Sequence, residues 1–225
     1  MAALRALAAV AAAGLVLGGC GLAQLHTART TPEGEVDVTL GVGRLANEVV
    51  RDGDSEIARW PVHIGARWGV AEQVDVGARL LLGDGVLVDG QWGLLAPRSP
   101  WALSVSAGAG VGGWAGQGGA VSLTLPIVAL ASWDATEWLT PYLGVGWAFW
   151  WHLGREVTEG SPTGALVARA GHGDGVVTLI AGVSVQVSAR VSLRVEYDFM
   201  TQALDDPGDL YSMVDSHAVT AAVAF

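Results

Sequence analysis

The sequence predicts an all-β fold: a closed antiparallel up-and-down β-barrel that crosses a membrane, built from ten strands. Three observations predict it. Ten segments alternate apolar and polar residues with period two, the signature of strands whose faces meet different surroundings. Most of these segments run to roughly 10–14 residues, whereas strands of soluble proteins run to about five or six. The connections between them sort into two sets, one uniformly short and one mostly long.

The first segment is Glu35–Leu45, with Val36, Val38, Leu40 and Val42 opposing Glu35, Asp37, Thr39 and Gly41. In Ala58–Gly69, Trp60, Val62, Ile64, Ala66 and Trp68 oppose Arg59, Pro61, His63, Gly65 and Arg67. Gln73–Gly83 sets Val74, Val76, Ala78, Leu80 and Leu82 against Asp75, Gly77 and Arg79. Val86–Leu95 sets Val88, Trp92 and Leu94 against Asp89, Gln91 and Gly93. Trp101–Val111 and Ala120–Leu130 continue the pattern, Pro126 and Val128 weakening the second. Glu137–His152 and Gly175–Ser188 are the longest. Arg190–Met200 is the cleanest, with Val191, Leu193, Val195, Tyr197 and Phe199 opposing Ser192, Arg194, Glu196 and Asp198. Ser216–Phe225 is last. At ~3.3 Å per residue and a tilt near ~40°, ten residues rise roughly 25 Å, the height of a membrane barrel's apolar band. Closure follows because an open sheet edge in lipid leaves backbone groups unpaired. Eight strands is the alternative if Val86–Leu95 and a neighbour are not separate, and Gly164–Arg169 is a candidate extra strand.

The short connections are Val70–Glu72, Ala96–Pro100, Ala131–Thr136 and Ser188–Ala189. The other set is Ala46–Ile57, Asp84–Gly85, Gly112–Gly119, Leu153–Asp174 and Thr201–Asp215. Short periplasmic turns facing longer outer loops is the arrangement of outer-membrane barrels, and an even strand number places both termini on the periplasmic side.

Composition narrows the function classes. The twelve basic residues are all Arg and the net charge is −10, so no basic stripe for nucleic acid is expected. The chain is 51% hydrophobic, yet past its first residues no apolar run reaches the roughly 18 residues of a spanning helix. With Cys20 as the single cysteine there is neither an internal disulfide nor a cysteine metal cluster. Residues 1–19 read as a secretory signal, with Arg5, an apolar stretch and small residues ahead of a cut site. Leu17-Gly18-Gly19-Cys20 resembles the lipobox of bacterial lipoproteins, which implies cleavage before Cys20 and a lipid on it. The alternative is an ordinary signal cut near Ala23. Residues 20–34 are then a lipidated tether, and 35–225 the barrel.

The final segment resembles the closing strand of small bacterial outer-membrane β-barrel proteins: Phe225 is last, with Val223, Ala221 and Val219 at alternate positions before it. The resemblance implies location in the bacterial outer membrane, outer-membrane lipid as surroundings, and Phe225 as a signal to the outer-membrane assembly machinery. A monomer is expected.

On this reading the apolar face meets lipid. The lumen holds a network of charges from Glu35, Asp37, Arg59, His63, Arg67, Asp75, Arg79, Asp89, Arg194, Glu196 and Asp198, with Gln91 beside them. Arg and carboxylate groups pair across strands, so the lumen reads as a self-satisfied polar filling. A narrow channel or small-ligand site is the alternative. Trp60, Trp101, Trp138, Trp150 and Trp151 fall near strand ends, where indole rings favour the headgroup level; Trp114 and Trp133 read as loop residues. No metal or cofactor is expected. His152 and His172, near Glu156, Glu159 and Asp174, repeat no ligand spacing, and no G-x-S-x-G, P-loop or H-E-x-x-H motif occurs. Ser216 and His217 are adjacent, so a strand points them to opposite faces, against a lipid-acting hydrolase. The expected role is structural or surface-interacting, through the outer loops. The remaining alternative is a soluble, lipid-tethered periplasmic barrel whose apolar alternate positions form its core.

Overall fold

The computed structural model describes residues 24–49, 55–82, 85–113, 121–153, 172–202 and 213–225. Cys20, Trp114 and Gly164–Arg169 lie outside these, as do the side chains of Arg59, His152 and His172. Eleven strand elements form one sheet: β1 (Val36–Val49), β2 (Ser55–Arg59), β3 (Val62–Ala71), β4 (Val74–Leu82), β5 (Gly85–Gly93), β6 (Trp101–Gly113), β7 (Val121–Trp133), β8 (Leu139–Leu153), β9 (His172–Ser188), β10 (Val191–Gln202) and β11 (Met213–Ala224). From β3 to β11 each strand pairs antiparallel with the next, β1 pairs with both β2 and β3, and β11 returns to β1. The sheet is therefore a closed up-and-down barrel.

It has ten staves because β2 and β3 are one. β1 pairs β2 through Leu45–Val49 and β3 through Val36–Val42. The break at Trp60–Pro61 follows from Pro61, which has no N–H for the ladder; its carbonyl still accepts from Gly43 N at 2.9 Å, so the register carries across. At the seam Val38 and Phe225 exchange backbone hydrogen bonds of 3.1 and 2.9 Å, so the last residue of the chain closes the barrel. Several strands extend past their expected ends: β7 reaches Trp133 and β9 begins at His172.

The expected face assignment holds around the ring. Val38, Leu40, Ile64, Val88, Leu125, Val145 and Leu193 are exposed on the outside, while Arg67, Asp75, Asp89, Gln91, Glu196 and Asp198 are buried within. This reverses a soluble barrel, whose alternate apolar positions would form the core, and that alternative is set aside. Trp101 stacks on Trp133 with centroids 5.5 Å apart, so Trp133 belongs to a strand and an aromatic rim, not to a loop. Trp150 departs from expectation as well: it points inward and is buried, beside Ala148 and Val176.

A lipid-facing wall makes a specific demand. Val145 lies mid-strand on β8, between Ala129 and Leu179, and is 51% exposed. Val145→Arg is expected to cost about 2–4 kcal/mol, the cost of a basic side chain at a bilayer midplane. The change is read as a lower temperature for conversion of the compact form on an SDS gel. A surface change on a soluble barrel would stay within about 0.5 kcal/mol.

Candidate functional site

The lumen is occupied by the chain itself. Residues 24–32, expected as part of a tether, run inside the barrel, with Gln24, Leu25, His26, Ala28 and Thr31 buried. Nothing in the alternation of β1–β11 reveals this, because the segment has no period of its own. The signal that could have found it is the excess of small inward residues. Gly41 leaves space for the Leu25 side chain against Ala222. Ala28 packs among Val128, Leu130, Tyr142 and Ile180. These small residues leave room for a strand of backbone as well as for long side chains.

The segment leaves the lumen through one tight corner. Gly34 has φ +81°, Gly34 N donates to Gly69 O at 2.9 Å, and Glu35 N to Pro32 O at 3.0 Å. A Cβ on Gly69 would collide with the carbonyls of Pro32 and Thr31, so only glycine admits this approach. Glu35 follows the corner and is exposed, which corrects its placement in the lumen: the outward-to-inward alternation begins only where β1 does.

Two buried carboxylates hold the segment by its main chain. Glu196 accepts from Gln24 N at 2.5 Å, Leu25 N at 2.9 Å and the Tyr142 hydroxyl at 3.0 Å. Leu25 has φ +53°, so consecutive N–H groups converge on one carboxylate in the manner of an anion nest. Asp75 accepts from Thr31 N at 2.7 Å. In the other direction, Arg194 Nη1 donates to Leu25 O at 2.8 Å, and Gln91 Nε2 to Thr27 O at 3.1 Å. Arg29 ties the segment to the short-turn end: Nε donates to Asp134 at 2.9 Å, and Nη1 and Nη2 to the carbonyls of Pro97 and Ser99 at 3.0 and 2.6 Å.

A second layer is the ion network expected from sequence. Arg67 binds Asp75 through Nε at 2.9 Å and Nη2 at 2.5 Å, and Asp89 through Nη1 at 3.0 Å. Arg79 reaches Asp89 at 3.3 Å and Gln24 Oε1 at 3.2 Å. Arg194 pairs with Asp37 at 2.7 Å. Gly77 makes space: a Cβ there would lie 2.5 Å from Asp89 Oδ1 and 2.8 Å from Arg67 Nη1. His63 and Asp198 are buried as expected, but their polar atoms make no direct hydrogen bond among the described residues. Among the described residues no group of three or more His, Cys, Asp or Glu could hold a metal ion.

His26 gives the seat a pH dependence. Burial, and after it the guanidinium groups of Arg67 and Arg79, hold its imidazole well below the usual range; Nε2 lies 3.2 Å from Gln24 Oε1. A released segment recovers the ordinary value near ~6.5 and takes up a proton the seated one refuses. The seat is therefore at full strength above that pH and weakens as pH falls below it, by about 1.4 kcal/mol per pH unit at most. Protection of residues 24–32 against hydrogen exchange, taken relative to the intrinsic amide rate at each pH, is expected to be weaker at pH 5.5 than at pH 8, and His26→Gln to flatten the difference. Equal protection at both pH values in the unmodified protein would contradict this.

With a closed barrel, an apolar exterior and a polar, filled interior, the chain has the fold of outer-membrane β-barrel proteins. No family model matches the sequence, and no curated protein matches it. Solved structures match in fold. An outer membrane channel from Pseudomonas putida F1 aligns at 7% identity and TM-score 0.50, covering 92% of this chain and 100% of that one. Neisserial surface protein A aligns at 13% identity and TM-score 0.43, over 84% and 95% of the two chains. The translocator domain of the autotransporter NalP from Neisseria meningitidis aligns at 10% identity and TM-score 0.46, over 100% and 95%.

Proposed function

We propose that this protein is a plugged outer-membrane barrel of the bacterial envelope, a structural or surface-interaction scaffold whose connections at the long-loop end are its exposed part. One observation carries the reading: the segment 24–32 fills the lumen, its own main chain bonded to Glu196, Asp75 and Arg194. A barrel closed in this way displays its rim and does not conduct. Both ends of the barrel, Glu35 and Phe225, then face the periplasm, and Phe225 presents the assembly signal.

A lipid on Cys20 belongs to the same proposal. Cys20 stands four residues before the buried Gln24, within about 14 Å of it along an extended chain. The lipid reaches a leaflet with the segment seated only if the upstream chain clears the barrel within that distance. Palmitate labelling is expected for the unmodified protein and lost in Cys20→Ala.

Conductance across a planar bilayer tests the scaffold reading. No current steps are expected at neutral pH over a range of voltages. Stable steps from the unmodified protein would overturn it in favour of a narrow channel.

A further inference from the structure

The segment inside the barrel has a direction. Its later part lies at the short-turn end: Thr31 N donates to Asp75, Gly34 N to Gly69 O, and Arg29 reaches the turns at Pro97, Ser99 and Asp134. Farther in, Thr27 O accepts from Gln91, and the amides of Leu25 and Gln24 meet Glu196. Glu196 stands five residues after the start of β10 at Val191 and six before its end at Gln202, so Gln24 sits at about half the height of the wall. Traced back from Pro32 to Gln24, the chain climbs toward the long-loop end. Its upstream side points there, although Glu35 and Phe225 both lie at the short-turn end.

Reach decides where the chain before Gln24 can go. At ~3.3 Å per residue and a tilt near ~40°, the six residues left on β10 rise roughly 15 Å. The four residues from Gln24 back to Cys20 span about 14 Å when extended, so a straight course brings Cys20 to the long-loop rim. The short-turn end is about as near, roughly 13 Å away, but that half of the lumen is filled by Leu25 to Thr31. A reversal would itself consume a turn of about four residues, which is all the chain available.

The lining agrees. Gln24 borders a small cavity with Val128, Ala148 and Thr178. Beyond that level, Trp150, Val176, Met200 and Ala218 continue from Ala148 as an apolar band on the inner face of β8 to β11. Gly21, Leu22 and Ala23 carry no polar side chain, so no side-chain polar group is desolvated in passing it.

We propose that the chain threads the barrel, so that Cys20 emerges at the long-loop end and its lipid lies in the leaflet on that side, the outer leaflet of the outer membrane. This rests on the lipid attachment proposed above and assigns its side. The acyl chains then act as a stop, since the segment cannot slip toward the periplasm without drawing them into the lumen.

The test uses the full chain in cells, with a short charged epitope inserted between Cys20 and Gly21. Antibody is expected to bind the epitope equally on intact and permeabilised cells. The same epitope inserted after Ala189, in the short turn between β9 and β10, is expected to bind only after permeabilisation. Both variants are first shown to keep the heat-modifiable compact form. An epitope after Cys20 that binds only on permeabilised cells would overturn the threading. Palmitate labelling of the same protein separates the two failures: without label the lipid attachment itself falls, whereas label together with a periplasmic epitope leaves the attachment standing and removes the threading.

Discussion

Glu196→Ala is expected to unseat the N-terminal segment and convert a silent barrel into a conducting one. The side chain accepts three hydrogen bonds, two from consecutive backbone amides and one from Tyr142, and it is fully buried. A hydrogen bond to a charged partner contributes about 1.5–3 kcal/mol, and removing the acceptor leaves each donor unsatisfied. The three are not independent, so roughly 3–5 kcal/mol of seating energy is expected to go, enough to shift the seated fraction by about a hundredfold or more. Current steps in a planar bilayer and rapid proteolysis of residues 24–32 are the readouts. Glu196→Gln keeps one acceptor oxygen and is expected to fall between the two. A Glu196→Ala barrel that stays silent, with its segment as protected as before, would show that the seat depends on something else.

Arg67→Ala is expected to produce the largest loss of barrel stability. Its guanidinium is shared between Asp75 and Asp89, both at or near full burial, and Arg79 reaches only Asp89, at 3.3 Å. Removing the cation leaves buried carboxylates uncompensated, at about 3–5 kcal/mol. The compact form on an SDS gel should convert at a distinctly lower temperature. Arg67→Lys should recover little, since an ammonium cannot bridge two carboxylates with a planar fork. The combination of Arg67→Met and Asp75→Asn, which leaves Asp89 to Arg79, should recover most of the loss, because the cost lies in unpaired charge and not in the absence of the ion pair. Should the double variant be as unstable as Arg67→Ala, packing around Gly77 would be the cause instead.

How much of this was legible in the sequence differs by feature. The side each residue faces was legible because a strand's backbone imposes a period of two, and an apolar exterior makes that period visible in every segment. His63, Arg67, Asp75, Arg79, Asp89, Arg194, Glu196 and Asp198 were placed inside by that rule alone, and all are buried. Glu35 escapes the rule because it stands one residue ahead of the strand, in a corner set by Gly34 and Gly69. Trp150 was misplaced because proximity to a strand end was given more weight than its parity, which matches Ala148 and points inward.

Which acid meets which base was not legible. The sequence places Glu196 in a lumen of paired charges without naming its partner, whereas its hydrogen bonds come from the Tyr142 hydroxyl and from backbone amides of Gln24 and Leu25, about 170 residues away in sequence. Gln24, His26 and Tyr142 carried no pattern that marks a site.

The sequence by itself determined a closed up-and-down barrel and the face each strand residue takes, since both follow from local alternation and from the need to pair every backbone group in lipid. Only the tertiary structure decided what fills it. The small inward residues leave a volume whose shape exists only once ten staves have closed. The segment that occupies it is held through main-chain N–H and C=O groups, which every residue carries and which therefore leave no mark in the sequence.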